Sequence, residues 1–60
     1  MNTTIPNDPV ILLSYVNTQL RDFYNSLEDL CKSISIDETL IREKLRSIDY
    51  EYDAVQNRFV

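Results

Sequence analysis

The segment Asp29-Leu30-Cys31-Lys32-Ser33-Ile34-Ser35-Ile36-Asp37-Glu38-Thr39-Leu40-Ile41-Arg42-Glu43-Lys44-Leu45 contains two short helical periods on either side of a break. With Leu27 just upstream, Leu30, Cys31 and Ile34 fall at i, i+3, i+4 and i+7, a single apolar stripe. Ser35 and Ile36 interrupt that period. Asp37 then offers a side-chain oxygen to the first free N–H groups of a further helix running to about Ile48, whose inward face is Ile41, Leu45 and Ile48, widened by Leu40. The first of these helices, about two turns long, falls below the ~12–15 residues at which an isolated helix becomes marginally stable in water, so it must be ordered by packing. Either Asn25 or Ser26 can cap the first of the two, because Asn25 with Glu28 and Ser26 with Asp29 both have capping-box spacing.

Upstream, Asp8 followed by Pro9 is a helix start, since proline at the first helical position gives up no hydrogen bond. The spacing predicts a helix from Pro9 to about Tyr24, with Leu12, Val16, Leu20 and Phe23 as its apolar stripe and Leu13 and Tyr24 widening it. Residues 1–7 are polar, aperiodic and contain Pro6, so they read as a flexible tail from which Ile5 alone can dock; residues 8–60 form a single domain. Downstream, Tyr50 and Tyr52 alternate with Asp49, Glu51 and Asp53, the period of a strand with one covered face. Asp53 to Gln56 is turn-like, and Asn57 to Val60 returns as a second strand that pairs Tyr50 and Tyr52 with Arg58, Phe59 or Val60. The expected fold is mainly α: three helices, helix-turn-helix-like, with a short C-terminal β-hairpin in a winged-helix-like arrangement.

The quoted segment resembles the helix-turn-helix of many bacterial repressors. Cys31 stands at the small-residue position where the helices cross, Ile34 and Ile36 flank the turn, and Ile41 and Leu45 anchor the second helix. Ser35 stands where such turns usually carry glycine for its positive φ. The whole chain after the tail also resembles a family of short bacterial proteins of unknown function, domain-of-unknown-function family 4250. The matching stretches are Asp8-Pro9-Val10-Ile11-Leu12-Leu13-Ser14-Tyr15-Val16-Asn17-Thr18-Gln19-Leu20-Arg21-Asp22 and Ile48-Asp49-Tyr50-Glu51-Tyr52-Asp53. That resemblance implies one complete domain and imports no activity.

Composition narrows the chemistry. There is no histidine, which removes the commonest general base and transition-metal ligand, and no glycine, which removes phosphate-binding loops and dinucleotide fingerprints. A lone cysteine cannot form an internal disulfide, which fits a reducing cytoplasm. No signal peptide or membrane span can be drawn. Asp49, Glu51 and Asp53 offer oxygen ligands, but counting from Asp49 puts Ala54 and Val60 where a calcium loop needs glycine and glutamate. Cys31 lies on an apolar stripe with only Lys32 beside it to lower its pKa, so inert burial is expected. The tyrosines lack the basic groove that base-stacking platforms need. No cofactor, no metal and no enzymatic activity are expected, and a core this small leaves little room for a ligand pocket of ~300 Å³.

The function expected from these features is a non-enzymatic interaction module that forms a homodimer or docks on a protein partner. A domain of 60 residues buries only ~60 % of the surface of its unfolded chain, so some large apolar side chains must remain outside. Val10, Ile11, Tyr15, Val55, Phe59 and Val60 are the candidates. The alternative is DNA binding through Arg42, Lys44 and Arg46 of the third helix, with Arg58 on the wing. The net charge of −4 opposes it, as do Asp37, Glu38 and Glu43 on the same helix.

Overall fold

The computed structural model describes residues 5–60, in which α1 (Pro9–Asp22), α2 (Leu27–Ile34) and α3 (Glu38–Arg46) precede a hairpin of β1 (Tyr52–Asp53) and β2 (Arg58–Phe59). Each helix starts where a side chain replaces the missing intrahelical acceptor. Asp8 accepts from the Val10 N–H, Ser26 from Asp29 and Asp37 from Thr39. Ser26, rather than Asn25, is therefore the cap of α2. Glu28 and Asp29 in the first turn of α2, and Lys44 and Arg46 in the last turn of α3, lie at the ends of the helix dipole that favour their charge.

Without glycine, the three left-handed backbone positions among the described residues fall to short polar residues: Ser35 at φ 58°, Asp49 at φ 67° and Asn57 at φ 56°. Ser35 terminates α2, and the N–H groups of Ser35 and Ile36 both return to the Cys31 carbonyl. The turn thus adopts positive φ with serine where glycine is usual. Asp49 reverses the chain after α3, and the Tyr50 N–H is taken by the Leu45 carbonyl. That bond removes Tyr50 from the ladder, so β1 begins later than the alternation suggested and the register is Tyr52 opposite Phe59 and Asp53 opposite Arg58. Glu51 and Val60 exchange both backbone bonds just outside the ladder.

Leu12, Val16 and Leu20 from α1, Leu27, Leu30 and Cys31 from α2, Ile41 and Leu45 from α3, and Phe59 from β2 make the core. Three expectations are corrected here. Phe59 is fully buried instead of lying on a surface, because β2 lands across α1 and drives its inward side chain between the helices. Phe23, at the end of the α1 stripe, is 71 % exposed: the helix stops at Asp22 and the non-helical φ of −130° at Phe23 turns its side chain away. Leu40 flanks the buried Ile41 and stays exposed. Ile5, in the stretch expected to be a flexible tail, packs half-buried on the core, while the start of that stretch, residues 1–4, lies outside the described residues. Among the described residues no helix is long and apolar enough to cross a membrane.

Candidate interaction surface

The seam between α1 and the hairpin is built from two asparagines. In an antiparallel pair, residues beside a doubly bonded pair point their N–H and C=O outward. Phe59, next to the Glu51–Val60 pair, does so, and the Asn17 side chain meets both groups: Nδ2 donates to the Phe59 carbonyl at 3.2 Å, and the Phe59 N–H donates to Oδ1 at 2.8 Å. A side-chain amide on a helix thus takes the place of a third strand. Asn17 is not simply a solvated helix residue, and its partner lies within the chain.

Asn57 makes the second attachment. Its Nδ2 donates to the carbonyls of Leu20 and Tyr24 at the end of α1, and its Oδ1 accepts from the Tyr52 hydroxyl at 2.6 Å. That hydroxyl in turn accepts from the Leu27 N–H at the start of α2. One asparagine in a hairpin turn therefore satisfies groups at both helix ends that meet beneath it. Among the described residues, no buried side-chain nitrogen or oxygen is left without a partner.

Along this seam, α1 and the hairpin flank an open groove of about 520 Å³, lined in part by Asn17 and Asn57 themselves and larger than the size of the core led one to expect. Ser14, Thr18 and Arg21 line one wall, Gln56, Asn57 and Arg58 the other, and Leu20 contributes to the floor. Arg21 is engaged by Asp22 in an exposed ion pair, and that bond holds the Asp22 carboxyl below its usual range. Arg58 makes no ion pair among the described residues. Its neighbour across the strand, Asp53, turns its carboxylate to the Val55 and Gln56 N–H groups and the Gln56 side-chain amide.

Exposed apolar residues lie near this α1–hairpin face, while Leu40 on α3 and Tyr50 after it are exposed elsewhere. Val10 (64 % exposed) and Ile11 (57 %) lie on the N-terminal half of α1, and β2, descending from Leu20 past Asn17, carries Val60 toward it. Val55 (95 %) lies in the hairpin turn at the other end. Tyr15 is half-buried against the core.

Of the residues considered for DNA contact, Arg42 and Arg46 share a surface that Lys44 and Arg58 do not join. Arg42 is paired with Glu38 and sits 5.6 Å over the Tyr52 ring; Arg46 lines the same small cleft. Lys44, two positions from Arg42, lies about 200° around the helix at 100° per residue. Arg58 opens on the α1 groove instead. Cys31 is buried, and its thiol is pushed up from the ordinary value first by burial and then by the Glu38 charge. Among the described residues no three His, Cys, Asp or Glu side chains are grouped to hold a metal ion. The tyrosines are scattered: Tyr24 donates to the Ser33 hydroxyl, and Tyr52 packs at 5.5 Å on Phe59.

Fold and surface define a small three-helix domain closed by a hairpin that side-chain amides fasten to α1. The family model described as Domain of unknown function (DUF4250) matches residues 6–59, and the chain belongs to that family. No curated protein and no solved structure gives a match.

Proposed function

We propose that the chain is a non-enzymatic protein-interaction module, with the α1–hairpin face as its docking surface and self-association through the end that carries Val10, Ile11 and Val60. The observation that carries this reading is a set of exposed apolar side chains: the core is closed and its buried polar groups are satisfied, yet Val10, Ile11 and Val60 stand largely in water near one end of that face. Burial of such residues between two copies is the main driving force available to a chain with no disulfide or metal to help it. The lone buried thiol suits a reducing compartment such as the cytoplasm. Nucleic-acid binding has less support, because the cations of α3 and Arg58 do not converge.

Light scattering across a concentration series tests the reading. The expected result is a mass that rises with concentration in the unaltered chain and stays monomeric in a Val10→Asp, Ile11→Asp double variant. A monomer at every concentration removes self-association.

A further inference from the structure

We infer that the groove between α1 and β2 binds a short acidic segment of another protein, with Arg58 as its main anchor. The inference rests on the reading of this face as a docking surface. The groove places a guanidinium without an ion pair, the exchangeable guanidinium of Arg21 and the Ser14 and Thr18 hydroxyls around one opening, on a chain whose net charge is −4. Cationic and donor groups concentrated on an acidic protein select a carboxylate-bearing ligand. Arg58 is available because the turn occupies Asp53, its cross-strand neighbour. Arg21 can change partners because its exposed pair with Asp22 contributes little and is screened by salt.

Size and surroundings define the segment further. Ser14 and Arg21 are seven residues apart on α1, roughly 10 Å at 1.5 Å per residue, which spans about three extended residues. Val55, exposed in the turn beside Gln56, gives a neighbouring apolar side chain somewhere to pack. The segment is therefore two or three carboxylates next to one large apolar residue. A second copy of this chain fits the groove poorly, since a two-fold match would bring Arg21 and Arg58 against the same residues. Duplex DNA also presents anions, but its affinity comes from many cations along one track, and the groove has two.

The test titrates the isotope-labelled full chain with a capped tetrapeptide of three glutamates and a leucine, following backbone amide shifts at low salt. The lysine counterpart of the peptide and a random duplex oligonucleotide serve as comparisons. The expected result is saturable shifts confined to Ser14, Thr18, Arg21 and the Gln56-to-Arg58 strand, absent with the lysine peptide. Arg58→Glu should weaken binding at least about tenfold, a difference of about 1.4 kcal/mol, and Arg58→Gln should weaken it less. Lys32→Glu, the same charge change on α2, should leave it within about twofold. Equal losses from Arg58→Glu and Lys32→Glu, scattered shifts, no shifts, or stronger shifts at these residues with the duplex would each overturn the inference. If the peptide fails while the mass series shows association, the acidic ligand alone is refuted; a monomer that still binds the peptide at the groove refutes only self-association.

Discussion

The two halves of the molecule are held together by different means. From Ser26 to Leu45, the capping and pairing bonds are local, apart from that of the Leu27 N–H to Tyr52: Ser26 caps a helix three residues on, Ser35 closes it, Asp37 starts the next, and Glu38 pairs with Arg42 one turn along. Between α1 and the hairpin, every bond is long-range: Asn17 reaches 42 residues to Phe59, and Asn57 reaches 37 and 33 residues back to Leu20 and Tyr24. Local caps can form one at a time as each helix forms. The seam forms only when the ends of the fold are together, so it carries the cooperativity.

The largest effect that would break this contrast is expected at the seam. Phe59→Ala should cost about 3–5 kcal/mol. At ~0.05–0.15 kcal/mol per residue, the whole domain has only about 3–9 kcal/mol to lose, so urea unfolding followed by circular dichroism should show a largely unfolded chain or one with a sharply lowered midpoint. A loss below about 1 kcal/mol would show that the hairpin is an accessory.

Next comes the amide of Asn57. Asn57→Gly keeps the left-handed backbone but strands the Tyr52 hydroxyl and the α1 carbonyls, and should cost about 2 kcal/mol. Asn57→Ala should cost about 1 kcal/mol more, because alanine must also adopt φ 56°. Equal losses in the two variants would mean that the amide, not the left-handed backbone, matters. On the local side, Ser26→Ala should remove about 1 kcal/mol, the ordinary value of a helix cap, without changing the denaturant slope. A Ser26 effect as large as that of Asn57 would erase the distinction between the halves.

The smallest effect is on acid stability. Hydrogen bonds from the Gln56 side chain, then from the Gln56 and Val55 N–H groups, hold the Asp53 carboxyl below its ordinary value of 3.8. Because the folded pKa is the lower one, the stabilisation is fully present above about pH 4 and is lost as pH falls through the depressed value. Asp53→Asn should flatten the acid limb of the stability curve slightly. A steeper limb in the variant would contradict the assignment.

The sequence was most informative where the physics is local. The stripes of α2 and α3, the Asp8, Ser26 and Asp37 caps, and the presence of a hairpin all rest on interactions within a few residues. Which of two phenylalanines enters the core did not. Phe23 has the right helical spacing, and Phe59 looked like a surplus surface residue; the outcome depends on where α1 stops and where β2 lands. The strand register was ambiguous for the same reason, since the Asp49 turn and the Tyr50-to-Leu45 bond decide it. Asn57 left one faint trace, an amide residue in a turn without glycine, where left-handed backbone was required. The groove had none, because its walls are far apart in the chain. Of its cations, Arg58 had been singled out for a different partner.

The Asn17 amide also limits how this protein can aggregate. Stacking strands into a fibril requires each molecule to offer two open edges, one to receive the previous strand and one to receive the next. On the β2 edge, Asn17 already occupies the Phe59 N–H and C=O, whereas the outward groups of Tyr52 on the β1 edge have no partner among the described residues. Two molecules can meet through β1, and a third then finds no edge to extend. Any growth by strand addition is terminated at the pair.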